Sequence, residues 1–338
     1  MVQDLRIAVV GAGRMGSDHI QRITRVVSGA YVSAIVEPDA GRAQAAAAEA
    51  PGAAVFSRIE EAIAAEAMDA VLVSTPGQFH APVLEPALEA RLPILCEKPL
   101  TQDSASSLDI VELEQRLDRP HIQVGFMRRF DDEYAQLREL VASRASGELM
   151  MVRAAHRNPD VPEQYTQNML ITDSVVHEFD VLPWVAGSRV VSVEVKYPRR
   201  NSLALSHLRE PILVIMELEN GVLIDLEMNV NVQFGYQVTT EAVFERGIAR
   251  TGEPSGMQVW RDGRVSTTEH TGFETRFARA YDAQVQRWVD AVRDGRLVDG
   301  PNAWDGYLVA LCCEAGVRAL TDGGVQSVVA PERPAFYA

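Results

Sequence analysis

Three groups of residues have types and spacings that can do chemistry. The first is Gly11-Ala12-Gly13-Arg14-Met15-Gly16, a G-x-G-x-x-G between the apolar run Leu5–Val10 and a helical pattern. In that context the first glycine makes the tight turn, the second lets backbone approach a pyrophosphate, and the third lets helix and strand pack closely. The helix start then offers unpaired N–H groups to the anion. An acid should follow about 20 residues on, and Glu37 ends the next apolar run, beside Pro38. Its carboxylate suits the adenosine ribose hydroxyls and repels a 2′-phosphate, which favours NAD. Arg42 is the nearby cation that would tolerate that phosphate, so NADP stays open. The second group is Cys96-Glu97-Lys98-Pro99, just past a short apolar run. Only two of the 32 basic residues are lysines, Lys98 and Lys196. A lysine at a strand end can stabilise a developing alkoxide, although the tetrapeptide alone reads equally as a surface loop. The third group is Asp173 and His177, spaced i,i+4 on a helical pattern and so on one face. Histidine beside a carboxylate is a natural general base near neutral pH, and taken alone the pair also reads as a helix-surface contact. A zinc helix is excluded, because the position four after His177 is Val181 and no H-E-x-x-H exists.

The elements that must position these groups can be read from periodicity. Apolar runs at 5–10, 31–36, 70–74, 94–96 and 122–124 alternate with helical patterns at 14–27, 40–50, 59–66, 82–90 and 104–117. That alternation predicts a doubly wound parallel sheet covered on both faces. Beyond residue 125 the pattern changes. Helices are expected over 132–142 and 172–185, a strand over 148–157, and mostly strands from 190 to 265. Residues 222–233 alternate apolar and largely polar, which predicts a sheet with one packed and one partly open face. Helices over 275–293 and 303–321 complete the pattern. The expected fold class is α/β. An N-terminal Rossmann domain spans 1–125, and an α+β domain with a large open, mainly antiparallel sheet spans 126–338.

Composition removes several function classes. The chain has 338 residues and a formal net charge of -15. An acidic excess argues against nucleic acid or an anionic membrane as partner. No stretch approaches the roughly 18 apolar residues of a membrane span. Three scattered cysteines make neither a disulfide framework nor a zinc cage, which favours a reducing, cytoplasmic setting. No metal is expected.

The ordered set GAGRMG, STPGQFH (74–80), CEKPL (96–100), GFMRRFD (125–131) and DSVVHEFD (173–180) resembles the Gfo/Idh/MocA oxidoreductase family along essentially the whole chain. AHRNP (155–159), NVNVQFGY (229–236), GPNAWDGY (300–307) and ERPAFY (332–337) resemble its inositol-oxidising members in particular. The resemblance implies a Rossmann domain followed by an α+β domain with an open sheet. It also implies NAD-dependent oxidation of a secondary hydroxyl of a cyclic polyol, foremost myo-inositol, with scyllo- and D-chiro-inositol as alternatives. Lys98, Asp173 and His177 match its catalytic positions. Its cofactor positions fall on Gly11, Gly13, Arg14, Met15, Gly16, Glu37, Pro38 and Arg42, then on Ser74, Thr75, Pro76, His80, Glu97 and Lys98. Its substrate positions fall on Lys98, Met127, His156, Asn158, Asp173, His177 and Tyr236. The resemblance further implies a homo-oligomer, with a tetramer favoured. Two departures from the pattern stand out: Glu37-Pro38 in place of an aspartate, and the residues before His80. Rival readings are a dehydrogenase of another cyclic sugar such as glucose, an NAD-dependent glycosidase, and a non-catalytic dinucleotide-binding regulator. The last would be expected to lose the lysine or the Asp/His pair.

Overall fold

A computed structural model of the protein describes residues 3–252, 258–296 and 299–338. The chain forms two compact units. The first comprises residues 1–127, 279–310 and 331–338, and the second comprises 128–278 and 311–330.

The first unit holds six parallel strands: β1 (Leu5–Val10), β2 (Ala30–Val36), β3 (Ala54–Phe56), β4 (Ala70–Val73), β5 (Ile94–Cys96) and β6 (Ile122–Val124). Their order is β3-β2-β1-β4-β5-β6, the doubly wound order that reverses direction between β1 and β4. The crossovers are α1 (Arg14–Arg25), α2 (Ala40–Glu49), α3 (Ile59–Ala64), α4 (Ala81–Glu89) and α5 (Ser104–Glu114). Residues 70–73 of β4 are all buried, as a strand covered on both faces requires. β3 is absent from the sequence reading: it has three residues at a sheet edge, and Val55 is half exposed, so no periodicity marks it.

The second unit contains α6 (Asp132–Ser143), β7 (Leu149–Arg157), a π-helical turn Leu170–Val175 continuing into α7 (Val176–Ala186), and β8 (Val190–Lys196). The strands β9 (Ile212–Leu218), β10 (Leu223–Asn229), β11 (Gln237–Phe244), β12 (Gly247–Thr251), β13 (Val259–Arg261) and β14 (Arg264–Ser266) follow. After them the chain runs through α8 (Phe273–Arg276), α9 (Ala278–Arg293), which belongs to the first unit, α10 (Ala303–Thr321), divided between the two units, and β15 (Val325–Ser327) in the second. The main sheet runs β12-β11-β7-β10-β9-β8-β15, with only the β7–β10 pair parallel. Ile224, Leu226 and Met228 are fully buried while Leu223 is 44% exposed, so the expected alternation is real on β10. It fails at Asn231, which is buried beyond the strand end, donating from its amide to Glu210 at 2.8 Å.

The helix expected over 275–293 is broken. α8 stops at Arg276 and α9 starts at Ala278, because the chain turns at Phe277 to bury its ring completely.

Within the first unit, α9 contributes Val285, Trp288 and Val289 to the core that also contains Leu5, Ile7 and Leu72. The segment 331–338 is pinned there too. Tyr337 donates to the buried Glu114 carboxylate at 2.6 Å and stacks on Trp304. Glu114 also accepts the N–H groups of His121 and Ile122 at 2.6 Å each.

Candidate active site

The glycine loop lies at the topological switch point, where open α/β sheets bind ligands. Gly11 has φ +89°, and a side chain there would stand 2.8 Å from the Thr75 backbone nitrogen. A side chain at Gly16 would stand 1.9 Å from the Gly11 carbonyl oxygen. These two positions are fixed by close packing within the protein. At Gly13 a side chain would meet nothing within 4 Å, so the open side of the loop is there, at the capping residue of α1. Gly13 supplies no side-chain cap, which leaves the first N–H groups of α1 for a ligand. Arg14 is exposed and Met15 half-buried on that first turn. Ser74 donates to the Gly11 carbonyl at 2.9 Å, tying the β4 loop to the glycine loop. Thr75 Oγ1 beside it is buried with no partner among the described residues, and Pro76 is exposed. An open glycine, an uncapped helix start and an orphan hydroxyl fit a dinucleotide.

Glu37 directly follows β2 and is almost fully buried. It accepts the N–H groups of Ala12 and Asp39 at 2.9 Å each and the Arg42 guanidinium at 2.7 Å. Burial alone would raise its carboxyl, but Arg42 and the two backbone donors outweigh burial and hold it below the usual range. One lone-pair site of four remains open on Oε2. The exposed Arg42 is thus neutralised by Glu37 itself, while Pro38 is exposed beside it.

The Glu97-Lys98-Pro99 loop follows β5. Its Glu97 is buried and meets His19 Nε2 of α1 at 2.7 Å. The helix that starts at the glycine loop is therefore tied to the residue preceding the half-buried Lys98. The His80 ring sits between the Thr75 carbonyl, 2.7 Å from Nε2, and the Pro99 carbonyl, 2.7 Å from Nδ1. Fully buried, His80 braces the β4 loop against the β5 loop, and desolvation holds its imidazolium form down against those carbonyls. Cys96 is also fully buried, and burial pushes its thiol well up, so it is no nucleophile. Met127, at the end of this unit, is buried.

In the second unit, Asp173 lies in the π turn and His177 in the first turn of α7. Single π turns inside helices are frequent at functional sites. Asp173 is exposed and His177 half-buried, while Ser174, Val175, Val176, Glu178 and Phe179 around them are buried. Asp173 and His177 thus emerge from an otherwise sunken stretch of helix. Arg129 anchors α7 by donating to both Asp180 oxygens at 2.9 and 3.0 Å. The His156 ring, at the end of β7, lies 6.5 Å from the His177 ring and edge-on to Tyr236 at 5.9 Å. Burial pushes the Tyr236 hydroxyl up to about 12. Asn158 follows His156 on the same side of the chain, and its Oδ1 is buried without a partner among the described residues. Sequence reasoning passed over Arg128 and Glu178, which hold His156 from behind, and His19. Arg128 and Glu178 sit inside GFMRRFD and DSVVHEFD, but nothing in their spacing marks them. Among the described residues no group of three His, Cys, Asp or Glu stands together as a metal site.

The chain matches the family model "Oxidoreductase family, NAD-binding Rossmann fold" over residues 5–126 and "GFO/IDH/MocA C-terminal domain" over 134–250. It belongs to the Gfo/Idh/MocA oxidoreductases and is an NAD-dependent dehydrogenase. It is 72% identical over 338 residues, all of both chains, to an inositol 2-dehydrogenase of Corynebacterium glutamicum. It is 70% identical to one of Leifsonia xyli subsp. xyli, over 99% of this chain and 98% of that one. Among solved structures it resembles myo-inositol dehydrogenase from Lactobacillus casei in complex with NAD(H) and myo-inositol, with a TM-score of 0.97, 31% identity and coverage of 99% and 100%.

Proposed function

We propose that the enzyme oxidises a secondary hydroxyl of an inositol, myo-inositol first, to the corresponding ketone. The observation that carries this reading is the second unit's polar cluster: exposed Asp173 and half-buried His177 beside His156, Tyr236 and the unpartnered Asn158 oxygen. A hydrogen-bonding surface of this density suits a ligand that is hydroxyl-bearing all round. The relatives with inositol 2-dehydrogenase activity by name support the same substrate class.

In this reading His177 takes the hydroxyl proton and Asp173 stabilises the imidazolium that results. Lys98 stabilises alkoxide character as the carbonyl forms. The hydride acceptor for that carbon would be supplied by bound NAD. Ser74, Thr75 and the glycine loop orient the dinucleotide, and Glu37 selects its ribose. His156, Asn158, Tyr236 and Met127 serve the polyol. The working form is a homo-oligomer, a tetramer, in the cytoplasm; three buried free thiols suit a reducing compartment, and sedimentation equilibrium measures the subunit number. No helix among the described residues is long and apolar enough to cross a membrane.

The test is NADH formation with myo-, scyllo- and D-chiro-inositol beside glucose. Turnover of an inositol is expected. Turnover of glucose alone would overturn the substrate and keep the chemistry. His177→Ala should lower kcat by at least about tenfold near pH 7, in line with general base catalysis. Lys98→Ala should be at least as damaging, with NAD binding largely retained. Near-normal turnover in either variant refutes its role.

A further inference from the structure

Two buried charged residues beside His156, Arg128 and Glu178, have no part in that mechanism. Arg128, His156 and Glu178 are each 3% exposed or less. Arg128 Nη1 donates to Glu178 Oε1, and its guanidinium lies over the Phe277 ring at 5.2 Å. The two Glu178 oxygens lie 3.1 and 3.2 Å from His156 Nδ1, and Arg128 Nη2 lies 3.3 Å from the same nitrogen. A buried ion pair is weak evidence for stability, because apolar residues of similar volume often hold a fold as well. Its use here is better sought in what it does to His156.

Nδ1 faces a carboxylate and a guanidinium at once. It carries a proton and donates to Glu178, or it is bare and accepts from Arg128. Burial opposes ionisation of Glu178, but the Arg128 charge, with the hydrogen bond from His156, outweighs burial and holds the carboxyl below its usual range. A bare nitrogen lone pair about 3 Å from an anionic oxygen is repulsive, and low local dielectric magnifies the repulsion. The Arg128 contact is the longer one, and that guanidinium is already bonded to Glu178. In the neutral ring the proton therefore belongs on Nδ1, and Nε2 is left as an acceptor.

We propose that Glu178, anchored by Arg128, fixes His156 in the Nδ1–H tautomer so that Nε2 presents a lone pair to one hydroxyl of the polyol. Arg128 and Glu178 are positioning residues that act through His156. The inference rests on the polyol reading above. It makes that ring position a specificity determinant: a free O–H there is bonded, whereas a deoxy or O-methyl carbon leaves a buried acceptor unmet.

The experiment has two arms. Enzyme labelled with nitrogen-15 histidine reports each ring's tautomer through its long-range proton–nitrogen correlations, and His156→Gln identifies the signal. Nδ1–H is expected in the wild type. In Glu178→Gln the amide oxygen keeps Arg128 and the amide N–H donates to Nδ1, so the tautomer inverts, as amides do beside catalytic histidines. The KM for the polyol should then rise about tenfold or more with kcat within about threefold, since a donor has replaced an acceptor in a buried contact. NAD affinity should not change. The deoxy-inositol that wild type discriminates against most strongly should lose nothing further in the variant. An Nε2–H signal in the wild type overturns the inference even if inositol turns over, and so does an unchanged KM in folded Glu178→Gln. Should that variant not fold, the wild-type tautomer and the deoxy-inositol panel decide. No turnover of any inositol, with Nδ1–H in place, overturns the substrate reading instead.

Discussion

Glu114 offers a quantitative test of how burial sets stability in the first unit. Its carboxyl is fully buried, and burial raises it from the usual 4.5 to about 7 against three hydrogen bonds from Tyr337, Ile122 and His121. In the unfolded chain the same group ionises at the ordinary value. Between the two, the folded state holds the extra proton. Its stability contribution is therefore full at low pH and is lost as pH rises toward and through 7. A shift of two to three units corresponds to about 3 kcal/mol in all, most of it lost between pH 5 and pH 8. Glu114→Gln removes the titration and keeps the contacts. The amide oxygen accepts both backbone N–H groups, and the amide N–H meets Tyr337. The Tyr337 hydroxyl can turn to the Val111 carbonyl at 3.4 Å. Urea unfolding of wild type and variant, followed at pH 5 and pH 8, isolates the group. The variant should gain on wild type by about 2 kcal/mol or more between those values. Parallel pH dependence in the two proteins would refute the reasoning.

The glycine loop supports a paired test. Gly13→Ala should fold with normal stability, since its side chain meets no protein atom, yet weaken NAD binding at least about tenfold by blocking the pyrophosphate approach; titration of NAD by protein fluorescence reads this. Gly16→Ala, which would press on the Gly11 carbonyl, should lower the melting temperature as well. Glu37→Ala should release Arg42 to meet a 2′-phosphate and shift the NAD-to-NADP ratio of kcat/KM toward NADP by about tenfold or more, a site lost and a cation gained; steady-state kinetics with both cofactors checks it.

Much of the fold was legible because local signals and tertiary structure agreed. The strands Leu5–Val10, Ile94–Cys96 and Ile122–Val124 and the helix Ala303–Thr321 fall where apolar runs and helical periodicity put them. The edge strand Ala54–Phe56 was too short to carry a period, and the break at Phe277 depends on a burial that no local pattern encodes. The π turn under Asp173 is equally silent, because one extra residue per turn leaves an i,i+4 pair on roughly the same side. Gly11 and Gly16 were readable because close backbone packing demands them, and Glu37 because it falls at the fingerprint's acidic position. What supports them was not. The His19–Glu97 and Arg128–Glu178 contacts join residues 78 and 50 positions apart, and a sequence shows such pairs only as unrelated charges. The same holds for Glu114 and Tyr337, separated by 223 residues.

The return of residues 279–310 and 331–338 to the first unit bears on how the protein is made. Trp288, Val285 and Val289 fill the core beside Leu5 and Ile7, so a fragment ending at residue 127 would present an open apolar seam. During synthesis the dinucleotide-binding half emerges first and yet lacks its own last layer until nearly the whole chain has left the ribosome. The second unit has all of its residues up to 278 before that happens. Early-born and late-finished, the nucleotide half depends on a partner segment that is its own distant sequence. A split of this enzyme into two independently expressed halves would have to carry α9 with the N-terminal piece.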